Sequence, residues 1–214
     1  MRLANRIIAW QRSDGRHDLP WQNTSDPYRV WLSEIMLQQT QVSAVIEYYL
    51  RFLQHFPDVA SLAQASADAV MAQWAGLGYY ARARNLHACA KRVMTDWNGV
   101  FPSDAEGLAT LPGIGPSTAA AIASFCFGER AAILDGNVKR VFARYFAVEG
   151  DPTQRATEVR LWQLARDELP SVKTCKIDPQ AMARYTQGQM DLGATLCTRS
   201  RPQCTKCPLE KDCQ

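Results

Sequence analysis

The chain has 214 residues, of which 47% are hydrophobic and 21% charged, and this composition excludes a disordered or fibrous protein. Its formal net charge of +3 permits a nucleic-acid partner without indicating one. No apolar segment is long enough to cross a bilayer, and the N-terminus lacks the apolar stretch of a signal peptide. We therefore expect a cytoplasmic protein with reduced thiols and no membrane partner.

Apolar residues recur three and four positions apart along most of the chain, which predicts an all-α protein. The pattern is clearest in ADAVMAQWAGL, RNLHACAKRVMTDW and RATEVRLWQLARDEL, and proline or glycine interrupts it at regular points. We predict roughly ten short helices joined by tight turns.

The segment WLSEIMLQQT contains Glu34, which a helix would place on one face with Val30, Trp31 and Leu37. Apolar neighbours partly desolvate a carboxyl group and favour its protonated form. Glu34 is therefore a candidate proton donor, although a glutamate on a helix is usually solvated surface.

A glycine turn precedes two tyrosines and two arginines in WAGLGYYARARN. Tyrosine rings beside Arg82 and Arg84 would suit stacking on bases with phosphates nearby. A solvated helix face with two packed tyrosines explains the same pattern more simply, and we favour it from these residues alone.

The stretch PSDAEGLATLPGIGPSTAAAIASFCFGE predicts two helices joined by a turn at Gly113 and Gly115. Ser103 and Glu106 fit a capping box for the first helix, and Pro116 suits the first turn of the second. Exposed N–H groups at such a turn bind an anion, and a DNA phosphate would fit. A plain hairpin turn between two helices is the alternative.

In ILDGNVKRV, Asp135 stands between an apolar run and a helix-like segment. The simpler interpretation is a helix N-cap whose carboxylate accepts backbone N–H bonds. The alternative is a carboxylate held at a helix N-terminus beside Lys139 and Arg140, where it would meet positive charge on a substrate. The residues of this stretch alone favour the cap.

Four of the seven cysteines crowd into the C-terminal segment CTRSRPQCTKCPLEKDC, separated by six, two and five residues. In a reducing compartment this spacing predicts a metal site, and both zinc and a four-iron cluster accept four cysteines. The four are Cys197, Cys204, Cys207 and Cys213. Four cations lie between or beside them and would partly balance an anionic centre: Arg199, Arg201, Lys206 and Lys211.

Together, LPGIGPSTAAAI, ILDGNVKRV and the C-x6-C-x2-C-x5-C tail resemble the endonuclease III superfamily of DNA base-excision glycosylases. PWQNTSDPYRVWLSEIMLQQTQV, GLGYYARARNLH and MDLGATLCTRSRPQC resemble the catalytic region of MutY-type adenine DNA glycosylases. The resemblance covers essentially the whole chain. It implies a helix-hairpin-helix glycosylase fold and a 4Fe–4S cluster on the four cysteines.

The resemblance also implies a domain organisation. A six-helix barrel would span residues 20–132 and contain the helix-hairpin-helix at about 104–127. Residues 1–19 and 133–214 would form the iron–sulfur domain, with the cluster loop at 197–213. A DNA-binding cleft would lie between the two domains.

The implied activity is hydrolysis of the N-glycosidic bond of adenine mispaired with 8-oxoguanine or guanine, in base excision repair. Glu34 would protonate the flipped adenine at N7, and ionised Asp135 would stabilise the oxocarbenium-like sugar. Asn137 would orient the attacking water. The partner would be duplex DNA, bound by a monomer at the bacterial nucleoid.

The resemblance also implies roles for residues at positions that match the family's base pocket and DNA contacts. Trp21 and Gln187 would line the adenine pocket. The implied DNA-binding residues are Gln39, Thr40, Tyr79, Gly113, Gly115 and Ser117. Bifunctional relatives place a Schiff-base lysine where this chain has Ser117, which favours a monofunctional glycosylase that leaves an abasic site.

Several departures and rivals remain. His17 stands where a lysine or arginine is common before LPW, and Gln22 follows that motif, so contacts there are expected to differ. Relatives continue into a C-terminal domain that helps recognise 8-oxoguanine, whereas this sequence stops one residue after Cys213, either as a shortened chain or as a short natural form, so we expect weaker opposite-base discrimination. The rival functions are a pyrimidine or thymine-mismatch glycosylase and a non-catalytic iron–sulfur DNA-binding protein.

Overall fold

The computed structural model describes residues 2–214, which contain helices and no β-strand, so the all-α prediction is confirmed. Twelve α-helices lie in this range: α1 (Leu3–Asp14), α2 (Pro27–Leu37), α3 (Val42–His55), α4 (Val59–Gln64), α5 (Ala67–Trp74), α6 (Ala81–Asp96), α7 (Ala105–Ala109), α8 (Pro116–Phe127), α9 (Gly136–Tyr145), α10 (Arg155–Asp167), α11 (Val172–Ile177) and α12 (Ala181–Asp191). The three periodic segments chosen from the sequence form α5, α6 and α10. Along the described chain, no helix combines the length and hydropathy of a membrane span.

The chain folds as two compact units. One consists of Met1–Arg16 and Gly128–Gln214, and the other of His17–Phe127. The first contains α1 and α9 to α12, a π-helix at Leu192–Leu196 and two short 3-10 helices near the C-terminus. The second contains α2 to α8. Which unit binds a cluster and which binds DNA stays a prediction.

Helix α2 is the buried centre of the second unit. It begins at Pro27 because Asp26 accepts a 3.0 Å hydrogen bond from the Tyr28 N–H, and proline suits the first helical position. Trp31, Leu32 and Met36 are completely buried, so this helix has almost no solvent face. Glu34 is consequently held on a rigid element within the core.

The helix-hairpin-helix consists of α7, a glycine turn and α8. The predicted capping box is wrong, because Asp104 rather than Ser103 caps α7 and accepts a 2.7 Å bond from the Gly107 N–H. Gly113 has a φ of +78°, and a Cβ there would lie 2.8 Å from Cβ of Asn85 on α6. Glycine is therefore required for both the conformation and the close approach.

In the first unit, α1 packs along α12, and α9 packs against α10, α12 and the π-helix. Gly188 permits the approach of α1, because a Cβ there would lie 2.6 Å from Cγ2 of Ile7. Helix α9 buries Val138, Val141 and Phe142 on one face. Its polar side includes Arg140 and Arg144, which contact Cys197.

Candidate active site

Asp135 caps the N-terminus of α9, as the sequence favoured. Its Oδ1 accepts a 2.8 Å hydrogen bond from the Val138 N–H. Burial raises the pKa of this carboxyl group, while the Val138 and Asn137 N–H groups and the Arg140 guanidinium act in the opposite direction. The cap therefore also keeps a carboxyl group in a position shielded from water.

Asn137 is fixed by Arg140 one turn further along α9. The Arg140 Nη2 donates to Oδ1 of Asn137 at 2.7 Å and to the Gly193 carbonyl at 2.7 Å. The Arg140 Nε donates to the Cys197 carbonyl at 2.8 Å. A Cβ on Gly193 would lie 2.5 Å from Cβ of Asn137, so the π-helix also packs directly on this residue.

Gln187 is oriented by a buried carboxylate on the same helix. Its Nε2 donates to Oδ1 of Asp191 at 2.8 Å, which assigns the amide orientation and leaves Oε1 as the atom that can accept from a further donor. Asp191 is completely buried and accepts from the backbone N–H and the Nε of Arg16 at 3.0 and 2.7 Å. Asp191 and Arg16 had no role in the sequence prediction.

The four C-terminal cysteines are free thiols within one short segment. Burial raises the pKa of Cys207, and the neighbouring thiols of Cys197, Cys213 and Cys204 raise it further, so the sulfurs lie within electrostatic reach of one another. Among residues 2–214, no three His, Cys, Asp or Glu side chains stand close enough to hold a metal ion. Four cysteine sulfurs in one short segment are nevertheless the donor type that zinc and iron–sulfur centres take, so the donor set fits the chemistry of a thiolate-bound metal centre.

Arg144 provides a cation at the cysteine segment that the sequence prediction missed. Its Nη1 lies 3.4 Å from Sγ of Cys197 and 2.8 Å from the Thr198 carbonyl. The four cations predicted beside the cysteines are exposed, and their balancing role stays a prediction. Helical spacing could have identified Arg144, because Asn137, Arg140 and Arg144 recur three and four positions apart on α9.

Glu34 lies in the other unit and is half-buried on α2. Its apolar neighbours Val30 and Trp31 are 3% and 0% exposed, as the helical spacing predicted. Burial raises the pKa of the Cys126 thiol on α8 to about 12, and the carboxylates of Asp26 and Glu34 add to this effect. Glu34 is therefore a partly desolvated carboxyl group that faces the α8 side of α2.

Gln39, Thr40 and Tyr79 lie on two turns of the second unit. Gln39 is exposed and has a φ of +56°, and Tyr79 is 60% exposed with a φ of +50°. An exposed aromatic ring held in an unfavourable backbone conformation is available to stack on a base. The expectation of packed tyrosines is wrong, since Tyr80 is also 45% exposed.

Arg82 joins these two turns. It is only 9% exposed, so it is neither a phosphate contact nor part of a solvated helix face. Its Nη2 donates to Oγ1 of Thr40 at 3.1 Å, and its guanidinium lies 5.4 Å from the Tyr79 ring. Spacing could have shown this, because Arg82 precedes buried Leu86, Cys89 and Val93 at helical intervals.

Trp21 packs in the core of the second unit. It is 7% exposed, and its ring lies 5.4 Å from the Tyr49 ring in an edge-on arrangement. Gln22 beside it accepts a 3.1 Å bond from the Leu19 N–H. The structure therefore explains Trp21 by packing, and a role in a base pocket stays a prediction.

The hairpin turn is accessible. Gly113 and Gly115 are exposed, and Ser117 is half-buried in the first turn of α8. The Nε2 of Gln38 lies 3.5 Å from Oγ1 of Thr118, so the Gln39 turn and the start of α8 are neighbours.

Within each unit the predicted residues thus cluster: Asp135, Asn137 and the cysteine segment in one, and Gln39, Thr40 and Tyr79 in the other.

Comparison with known proteins identifies a family. The profile of HhH-GPD superfamily base excision DNA repair proteins matches residues 32–167. Adenine DNA glycosylase of Buchnera aphidicola subsp. Baizongia pistaciae is 42% identical over 97% of this chain and 56% of its own length. Adenine DNA glycosylase of Homo sapiens is 41% identical over 97% of this chain and 38% of its own length.

A solved structure has a similar fold. The structure of a thermostable thymine-DNA glycosylase is 29% identical, with a TM-score of 0.84 over 99% of this chain and 93% of its own. The chain spans only about half the length of the curated Buchnera relative, at 56%.

Proposed function

Because this chain belongs to the HhH-GPD superfamily of base excision DNA repair proteins, we propose that it hydrolyses the N-glycosidic bond of adenine mispaired with 8-oxoguanine or guanine in duplex DNA. Curated relatives named adenine DNA glycosylase support adenine as the base. The observation that carries the proposal is the Asp135 carboxyl group, held at the N-terminus of α9 with Asn137 fixed beside it.

The two carboxyl groups have different tasks in this reaction. Glu34, half-buried between apolar neighbours, protonates the leaving adenine at N7. Asp135 in its ionised form stabilises the oxocarbenium-like sugar that remains. Asn137, held by Arg140, orients the water that completes the hydrolysis.

Binding of the duplex precedes the chemistry. The exposed turn at Gly113 and Gly115 offers backbone N–H groups to a phosphate. The side chains of Gln39 and Tyr79, which are exposed, insert into the DNA duplex next to the mispair and help to extrude the adenine. Thr40 lies beside Gln39. Gln187 presents Oε1 to the base amino group, and Trp21 supports the pocket wall.

Ser117 stands at the start of α8, where a Schiff-base mechanism would need an amine. We therefore infer a monofunctional enzyme that leaves an abasic site, and we separately propose that it acts as a monomer. Its four C-terminal cysteines would hold a 4Fe–4S cluster, which would tie the cysteine segment together. Nearby cations such as Arg144 would partly balance the negative charge of its thiolate ligands. Its work would be done on chromosomal DNA in the bacterial cytoplasm.

A single-turnover assay on a labelled duplex with one adenine opposite 8-oxoguanine tests the activity, with alkali added to reveal abasic sites. Asp135→Asn keeps a good N-cap while removing the charge, so folding is retained and excision is nearly abolished. Asp58→Asn is the matched control, because Asp58 caps α4 through a 2.7 Å bond from the Ser61 N–H. Equal excision by Asp135→Asn and wild type would refute the proposed mechanism.

A thymine-mismatch glycosylase is the second candidate, favoured by the 29% identity and TM-score of 0.84 with a thymine-DNA glycosylase. A duplex with thymine opposite guanine, assayed in parallel, separates the two functions. Release of thymine without release of adenine would replace the first proposal by the second.

A further inference from the structure

Arg82 is a buried cation of the second unit whose hydrogen-bond acceptors, among the described residues, are neutral oxygen atoms and not carboxylates. Its Nη1 and Nη2 make six hydrogen-bond contacts, so some of their four N–H hydrogens are shared between two acceptors, and the buried Nε has no hydrogen-bond partner. The residue is only 9% exposed. Backbone carbonyls accept five of these bonds, and Thr40 accepts the sixth. Burying a charge is costly unless it is hydrogen-bonded, so these acceptors fix the position of the guanidinium.

One half of the guanidinium holds the end of α2 and the turn that follows. Nη1 donates to the carbonyls of Ile35, Met36 and Gln38 at 2.9, 2.8 and 2.7 Å. The last carbonyls of a helix have no intrahelical partner, so Arg82 satisfies groups that would otherwise need water. Nη2 also donates a hydrogen bond to Oγ1 of Thr40, at 3.1 Å.

The other half holds the glycine turn before α6. Nη2 donates to the carbonyls of Leu77 and Gly78 at 3.4 and 3.3 Å. The guanidinium carbon also lies 5.4 Å from the ring centroids of Tyr79 and Trp74. One side chain thus contacts both turns.

Both turns contain a residue with an unfavourable backbone conformation. Gln39 and Tyr79 have φ angles of +56° and +50°, although neither is glycine. Such conformations persist only where the surrounding contacts enforce them. Arg82 binds the residue before Gln39, the residue after it, and the residue before Tyr79.

We propose that Arg82 is a positioning residue that locks the Gln39–Thr40 turn and the Tyr79 turn together, so that they enter DNA as one rigid unit. This inference rests on the proposed function for its consequence, because the two turns are assigned there to base extrusion. Its structural part, the coupling of the turns, is independent of any activity.

Arg82→Lys tests the coupling with little change in charge or bulk. An ammonium group has no planar fork, so it cannot hold both turns at once. Arg51→Lys is the matched control, since Arg51 lies 4.5 Å over the Tyr48 ring and donates to the Gln73 carbonyl at 3.1 Å. Both variants exchange an arginine that stacks on tyrosine and binds a carbonyl.

Hydrogen exchange of the free protein measures the coupling directly. Arg82→Lys is expected to accelerate amide exchange in residues 38–41 and 77–80 together, while Arg51→Lys leaves both segments unchanged. Faster exchange in only one segment, or in neither, overturns the proposal. If Arg82→Lys does not fold, Thr40→Val removes one acceptor, and the proposal then requires faster exchange in residues 77–80 as well.

The functional consequence is measured on a duplex with 2-aminopurine in place of the adenine, whose fluorescence rises on unstacking. Arg82→Lys is expected to reduce this rise and to slow single-turnover excision of adenine by about 10- to 100-fold. If Arg82→Lys gives the same fluorescence rise and the same excision rate as the wild-type chain, the inference is overturned. If the wild-type chain itself excises no adenine, the proposed function fails, whereas the exchange result still decides whether the turns are coupled.

Discussion

The Nη2 of Arg140 lies 2.7 Å from Oδ1 of Asn137 and 2.7 Å from the carbonyl of Gly193, so one guanidinium joins α9 to the π-helix. The same side chain reaches the Cys197 carbonyl at 2.8 Å. The segment that carries the cysteines is thereby connected to the residue assigned to the attacking water. We expect disturbances of the cysteine segment to reach Asn137 through Arg140.

Arg140→Lys is expected to slow excision by about 10- to 100-fold with little change in duplex affinity, because lysine keeps the charge but loses the bidentate geometry. Single-turnover rates and equilibrium binding to an uncleavable duplex separate the two effects. Arg92→Lys is the control, since Arg92 forms only an exposed pair with Asp96 on α6 and contacts the Thr110 carbonyl. A loss of affinity without a loss of rate would contradict this role for Arg140.

The pH dependence of excision should report on Asp135. Burial raises its pKa above the usual aspartate value of 3.8, so the ionised form disappears as the pH falls through that higher folded-state pKa. The acid limb of the single-turnover rate is therefore expected above the range of an ordinary aspartate. Because the folded state holds this proton more tightly than the unfolded chain, the group lowers stability as the pH rises through the same window.

Arg140 variants test the assignment of that acid limb. The Arg140 charge lowers the pKa of Asp135, so Arg140→Met should move the limb to higher pH, whereas Arg140→Lys should leave it in place. Rates measured across the acid range in a constant-ionic-strength buffer decide the matter. If the acid limb of the pH–rate profile stays at the same pH in Arg140→Met, it reports the titration of a group other than Asp135.

The sequence could predict elements whose signals are local. Asp135 as a cap, Pro116 at the start of α8 and the helical periodicity of α6 depend on neighbours within a few positions, and the structure confirms them. The capping box failed because Ser103 and Asp104 both cap helices well, and only the backbone path decides between them.

Contacts between segments that are distant in sequence could not be predicted from local sequence signals. The helical spacing of α6 could have shown that Arg82 is buried, but nothing nearby in sequence indicates its five carbonyl acceptors from residues 35–38 and 77–78. Asp191 and Arg16 are far apart in the chain and meet only in the folded unit. Long-range polar contacts depend on tertiary packing, which periodicity does not encode.

Asp191→Asn should destabilise the first unit strongly. Asp191 is completely buried, and the Arg16 side chain paired with it at 2.7 Å is 27% exposed. Removing the carboxylate leaves a largely buried guanidinium unpaired, which we expect to lower the free energy of unfolding by about 3 kcal/mol. Urea unfolding followed by circular dichroism measures the change. Glu158→Gln, which breaks the more exposed pair with Lys139, should cost less than about 1 kcal/mol.

Gly193→Ala tests how closely the π-helix supports Asn137. The added Cβ would lie 2.5 Å from Cβ and 2.9 Å from Cα of Asn137, so α9 or the π-helix must shift. We expect a loss of about 1–3 kcal/mol in unfolding free energy together with slower excision. Gly136→Ala is the stability control, because a Cβ there meets no atom within 4 Å. A fully stable and active Gly193→Ala would show that this contact relaxes freely.

The cysteine segment makes a prediction about metal content. If the four thiols hold a 4Fe–4S cluster, the purified protein is brown and contains iron and acid-labile sulfide in equal amounts. Cys204→Ser, at an exposed ligand position, should bleach the colour and release iron, whereas Cys175→Ser on α11 should leave both unchanged. Elemental analysis and visible absorption measure the outcome. A colourless protein loaded with zinc would fit the same four sulfur donors but refute the iron–sulfur assignment.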